Sequence, residues 1–181
     1  MYSDVMSIPT AKLMVLLGES FACVKVTGRA NFAASVDFQT VLTGLESKGY
    51  TYFVIELSEC TLMDSTFLGV LATFGVKLNP PDTDCVKQIV EIRNANERLL
   101  ELLENLGVLH LFKTCDGELP QCREVVPETC NPTREALTQA SLEAHKALMD
   151  INPENISRFK DVTKFLAEDL ERIRSSNGKS D

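Results

Sequence analysis

Two short apolar runs, Lys12 to Leu17 and Phe21 to Val26, flank Gly18-Glu19-Ser20. Strand-length apolar runs around a glycine-bearing turn predict a β-hairpin. Gly28-Arg29-Ala30-Asn31 then breaks the pattern and is expected to end the second strand. Between Phe32 and Lys48 the positions Ala34, Phe38, Val41, Leu42 and Leu45 recur at helical spacing, and Gly49 supplies the stop. Tyr52 to Leu57 is nearly all apolar, which predicts a strand with both faces covered. A second helical run begins near Ser65, carries Phe67, Leu68, Val70, Leu71 and Phe74, and must end before Asn79-Pro80-Pro81. Gln88 to Ile92 reads as another strand. Asn94-Ala95-Asn96 opens a helix with Leu99, Leu100, Leu102, Leu103 and Leu106 on a broad apolar face, closed by Gly107. Leu109, Leu111 and Phe112 are expected to form a last short strand. The order β-β-α-β-α-β-α-β predicts an α/β layer structure with a parallel portion built by crossovers.

The pattern changes after Cys115. Residues 116–131 carry prolines, cysteines and charges without a period and are expected to be a linker or wrapping segment. Two helices follow over 132–174. Asn131-Pro132 and Asn152-Pro153-Glu154 are their start signals, a capping residue followed by proline in the first turn. The first stripe is Leu137, Ala140, Ala144, Leu148 and Ile151. The second is Ile156, Phe159, Val162, Leu166, Leu170 and Ile173. The short connection predicts a helical hairpin. Two helices bury too little alone, so the hairpin must pack on the α/β unit over 11–115 or on a partner. The stripes fit either role. Ser175 to Asp181 reads as a polar tail.

Charge narrows the function. The net charge is −8, which disfavours direct nucleic-acid binding and an anionic membrane surface. The apolar runs are too short to span a bilayer, so no membrane insertion is expected. Met1 to Thr10 lacks a basic region followed by a long apolar one, and a cytoplasmic protein is the expectation. Six cysteines, Cys23, Cys60, Cys85, Cys115, Cys122 and Cys130, are then expected as reduced thiols. Cys115, Cys122 and Cys130 lie loosely near His110 without a common zinc spacing, and no metal or cofactor is expected. Asp82 and Asp84 read as a solvated loop.

The densest chemistry is Met63-Asp64-Ser65-Thr66-Phe67, between an apolar strand and an apolar helix. Ser, Thr and Asp are good helix caps, which is reason enough for one of them. Three in a row exceed one cap, and the end of a buried strand is where α/β folds place their sites. The first turn of a helix also tolerates added negative charge, because its N–H groups are free and its dipole is positive there. Ser65 is therefore a candidate for regulated phosphorylation. A hydrolytic serine is the sharper alternative, but it needs a Gly-x-Ser-x-Gly elbow and a placed histidine. Met63 and Phe67 stand at the glycine positions, and His110 and His145 lie in no recognisable motif. No catalytic constellation or phosphate-binding glycine loop is visible.

From about Ala11 to Lys113 the chain resembles the STAS domain of bacterial anti-sigma factor antagonists. The likeness rests on Gly28-Arg29 after the second strand, on Asp64-Ser65-Thr66 for an Asp-Ser-Ser/Thr motif, and on Leu68-Gly69-Val70-Leu71 in the helix that follows. The ending Asn105-Leu106-Gly107-Val108 with Leu111-Phe112 completes it. The resemblance implies a STAS-like mixed β-sheet packed with helices, here with a C-terminal helical hairpin added. It also implies a binding switch and not an enzyme. A partner anti-sigma factor, a serine kinase with a histidine-kinase-like ATPase fold, would phosphorylate Ser65 and lose its hold, and a serine phosphatase would reset it. Asp64, Thr66, Phe67, Leu68, Arg29 and Asn31 would shape the docking surface. Phe67 stands where well-known members have glycine and is expected to add bulk there. The alternative is a non-switching STAS subunit of a larger assembly, such as a lipid-transport complex or a stress-sensing scaffold, docked through the hairpin.

Overall fold

Strand β2 organises the molecule. In the computed structural model, which describes residues 10–79, 89–127 and 130–177, β1 (Lys12–Leu17) and β2 (Ala22–Ala30) pair antiparallel around the Gly18 turn. Helix α1 (Phe32–Ser47) returns the chain to β3 (Tyr52–Glu56), parallel to the first half of β2. A short strand β4 (Cys60–Met63) then pairs parallel with the second half of β2, Arg29 opposite Leu62 and Ala30 opposite Met63. Helix α2 (Ser65–Leu78) follows, then β5 (Ile89–Arg93), α3 (Glu97–Asn105) and β6 (Lys113–Cys115). Strand β7 (Arg123–Val125) closes the far edge against β1. The sheet order is β6-β5-β3-β2-β1-β7, with β4 beside β2. Helices α4 (Arg134–Ile151) and α5 (Ile156–Asn177) form the C-terminal hairpin.

Side-chain alternation along the strands sorts the two faces. Val24 and Val26, Phe53 and Ile55, and Val90 and Ile92 enter the main core with α1 and α2. Cys23 and Val54 belong to a smaller cluster with Phe21, against which Leu119 and Cys122 pack. Burial pushes the Cys23 thiol up to about 12. Period two also puts Glu56 and Glu91 on this second face, and both are buried. The Glu91 carboxylate accepts hydrogen bonds from Tyr52 Oη and from Arg93 Nε at 2.7 Å, with Lys113 Nζ at 3.4 Å.

Four expectations change. The second strand runs on through Gly28-Arg29 to Ala30 because β4 pairs with that stretch. β4 itself was hidden, since Cys60-Thr61-Leu62-Met63 is too short to show a period. Leu109–Leu111 is a 3-10 turn, and the last strand of this region starts only at Lys113. Helix α4 begins two residues later than Asn131-Pro132 suggests, because the Thr133 hydroxyl accepts from Ala136 N at 3.1 Å and is the cap. Segment 116–131 contains an edge strand. Asp82, Asp84 and Cys85, and the helix stop Pro80-Pro81, lie outside the described residues.

The hairpin lies on the α/β unit. The buried side of α4 comprises Ala140, Ser141, Ala144, His145 and Leu148, and it faces α2. A Cβ on Gly69 would come within 2.6 Å of Ala144 Cβ and O, so only glycine permits this approach. Helix α5 packs on α4 through Leu170 and the Arg134–Asp169 and Arg174–Glu135 ion pairs. Its expected stripe is only partly used: Ile156 and Val162 are exposed, as is Phe165 outside the stripe, at 64%.

Candidate functional site

Asp64 fixes the junction that presents Ser65. Its backbone is extended, and its Oδ1 accepts the Phe67 N–H at 2.9 Å, a side-chain cap on α2. Its Oδ2 accepts the Phe32 N–H at 2.7 Å, at the first residue of α1. One carboxylate thus answers free N–H groups at the starts of two helices, where both dipoles favour its charge. The Asp64 N–H donates to Ala30 O at 2.9 Å, which ties the junction to β2.

Ser65 is the first residue of α2 and is half-buried. Its Oγ lies 2.8 Å from His145 Nε2 on α4. His145 Nδ1 lies 2.7 Å from Ser141 O, and a carbonyl only accepts. In a neutral ring the proton therefore sits on Nδ1, and Ser65 donates its hydroxyl proton to Nε2. The Phe159 ring meets the imidazole edge-on at a centroid distance of 4.9 Å, which holds its plane. Thr66 is buried, with Oγ1 2.9 Å from Ser141 Oγ.

The other expected residues fall in different places. Phe67 is fully buried and stacks on Phe38 with centroids 4.3 Å apart, so its ring is in the core and not on an outer surface. Leu68 is buried as well. Arg29 is exposed near the end of β2, in register with Leu62 just ahead of the junction. Asn31 precedes α1 without capping it, and its Oδ1 accepts from Thr10 Oγ1 at 3.1 Å. His145 is the residue that sequence reasoning missed. Its only signal was its spacing of four from Ser141, which places both on one face of α4.

A serine beside an imidazole invites comparison with a hydrolase. Here Nδ1 is held by a backbone carbonyl, with no carboxylate to orient it and stabilise an imidazolium. The Asp64 carboxylate also occupies the helix N-terminus that an oxyanion would need. The arrangement is that of a polar latch between α2 and α4. The cysteines that looked loosely grouped separate: Cys122 joins the second-face cluster, Cys115 meets Arg93, and Cys130 lies against Asp37 and Thr40 of α1. Among the described residues, no helix is long and apolar enough to cross a membrane.

The STAS domain family model matches residues 15–118, more than half of the chain. The chain belongs to the STAS domain family. The STAS span runs from the middle of β1 to just past β6, with Ser65 at its strand-to-helix junction, and ends before β7 and the hairpin. No curated protein matches the sequence. Among solved structures, an anti-sigma factor antagonist from Mycobacterium paratuberculosis is similar in fold, with a TM-score of 0.50 and 15% identity over 58% of this chain and 85% of that one. The anti-sigma factor antagonist SpoIIAA in its unphosphorylated form scores 0.47 at 13% identity, over 60% of this chain and 90% of its own. The Bacillus cell fate determinant SpoIIAA in its phosphorylated form scores 0.47 at 14% identity, over 60% and 92%. This chain is thus a STAS domain carrying a C-terminal addition.

Proposed function

We propose that this STAS protein is a phosphorylation-switched binding protein of the anti-sigma factor antagonist kind. Its partner is a serine kinase and anti-sigma factor with a histidine-kinase-like ATPase fold, and it docks on the face around the start of α2. The observation that carries the reading is the position of Ser65, a half-buried serine at the first residue of α2, beside a capping aspartate. In the transfer, the Ser65 O–H bond breaks and an Oγ–P bond forms. The bond from the γ-phosphorus to ADP breaks, and the proton passes to a base on the kinase.

The phosphate adds roughly −1.5 to −2 charge. The N-terminus of α2 accepts that charge without loss of the fold. Against a packed partner surface the same charge meets Asp64 and loses hydration, which costs several kcal/mol and releases the partner. A serine phosphatase restores the binding form.

Purified chain incubated with the kinase and ATP is expected to carry phosphate on Ser65 by mass spectrometry, and the Ser65→Ala chain none. Phosphate found only at other residues would sink the assignment. The packing of α4 over α2 favours a second reading, a non-switching STAS subunit in which Ser65 serves as part of an internal contact. In that case the kinase neither binds nor modifies the chain.

A further inference from the structure

The face that the proposed partner would use is already occupied from within the chain. Helix α4 crosses α2 at Gly69 in near-backbone contact. It takes the Ser65 hydroxyl through His145 and the Thr66 hydroxyl through Ser141. We infer that the C-terminal hairpin is a cis-acting cap on the Ser65 face, which swings away before a partner protein docks there. This rests on the reading of that face as the docking and phosphorylation site.

Two features separate a cap from ordinary core. The first is the chemistry of the contact. Gly69, Ala140 and Ala144 bury little apolar area each, and the Ser65–His145 and Thr66–Ser141 hydrogen bonds are exchanged for bonds to water on opening. Leu148 on the same side of α4 is fully buried in the main core, but it lies at the fastened turn, where Asn155 bonds its carbonyl. The stretch over Ser65, Thr66 and Gly69 is lined by small and polar groups, which separate more readily than leucine and phenylalanine. The second is that the hairpin is fastened at its turn. Buried Asn155 Nδ2 donates to both Leu106 O and Leu148 O at 2.9 Å, and Arg158 Nη1 donates to Asn105 O at 3.2 Å. Asn152 sits over Gly107, where φ is +70° and a Cβ would come within 2.5 Å of Asn152 Nδ2. These contacts hold the turn to the end of α3 while the Ser141–His145 stretch leaves α2.

The geometry also bears on phosphoryl transfer. Ser65 Oγ points its proton at His145, toward α4 and not toward a docking protein. A γ-phosphate approaching Oγ in line needs that hydrogen bond broken. The closed hairpin therefore lowers both docking and transfer. A partner that must first open it binds more weakly by the fraction of molecules that are open.

The test uses the full chain with two opposite variants. Ala144→Glu wedges α4 off α2 while leaving every residue of α2 native. Thr66→Cys with Ser141→Cys, whose side-chain oxygens now lie 2.9 Å apart, locks α4 down on oxidation and frees it on reduction. Amide hydrogen exchange over 134–151 and over β2, β3 and β5 reports opening and an intact sheet. Binding and Ser65 phosphorylation are then measured with each purified serine kinase of histidine-kinase-like ATPase fold encoded in the source genome. In Ala144→Glu, exchange over 134–151 speeds up, the sheet stays protected, and affinity and phosphorylation rate rise at least about tenfold over wild type. The oxidised double-cysteine chain falls at least about tenfold below its reduced form.

Equal binding and rates in the wild-type, wedged and locked chains would overturn the cap while leaving the docking face in place. Absence of binding and phosphorylation in wild-type and opened chains alike would overturn the docking reading and the cap with it. If Ala144→Glu loses sheet protection, the locked chain decides: phosphorylation as fast oxidised as reduced rejects the cap.

Discussion

At the scale of single residues, Asp64 does more than cap one helix. Its two oxygens answer Phe67 N–H and Phe32 N–H, so replacing it orphans donors at the starts of both α2 and α1. Asp64→Ala is expected to lower stability by about 2 kcal/mol in urea unfolding, with Asp64→Asn recovering part of the loss. Phe67 carries a larger packing load. Because its ring is fully buried against Phe38, Phe67→Ala should cost about 4 kcal/mol. A loss below about 1 kcal/mol would mean that the ring does not occupy the core. The sequence marked both positions, since three polar residues before an apolar helix are visible without a structure. It misassigned the Phe67 side chain because an aromatic residue near a helix start looks the same whether it points in or out. His145 stayed invisible because its partner, Ser65, is 80 residues away.

Among the elements, strong periods were legible and weak ones were not. The α1 stripe of Phe38, Val41, Leu42 and Leu45 and the apolar run of β3 appear where their patterns require. β4 has four residues, and it exists because the end of β2 offers an unpaired edge, which is a tertiary cause. The docking of α4 was equally unreadable, since alanine and serine suit a core, a surface or a partner. Its one local clue is Gly69, a glycine inside a helix that tolerates it only for close packing. The turn of the hairpin makes a separate prediction. Asn155→Ala leaves the buried Leu106 carbonyl without its side-chain donor and Leu148 O with the Asn152 N–H alone, and is expected to destabilise the hairpin by about 2 kcal/mol. Hydrogen exchange should show this as faster opening of α4 and α5 with the sheet unchanged. Equal loss of protection in β3 and β5 would instead make the hairpin an inseparable part of the core.

At the scale of the whole molecule, the two faces of the sheet do different work. One packs on α1 and α2 and holds the Ser65 junction, and the other carries the Glu91 network. Burial alone would raise the Glu91 pKa, but hydrogen bonds from Tyr52 and Arg93, the Arg93 charge and the Lys113 ammonium outweigh it and hold the carboxyl below its ordinary 4.5. The stabilisation is therefore fully present above pH 4.5 and is lost as pH falls through the lower folded value. Urea unfolding should show Glu91→Gln less stable than wild type by about 3 kcal/mol at pH 7, with the gap closing below that range. A gap that persists unchanged into acid would contradict the ionised network. These terms bear on folding, whereas the proposed switch acts on a complex and leaves the fold in place. The most direct measurement is equilibrium binding of the purified partner kinase to the unmodified chain and to the chain phosphorylated on Ser65. The unmodified chain should bind, and the phosphorylated chain should bind at least about 100-fold more weakly. Equal affinity for the two forms would contradict the switch.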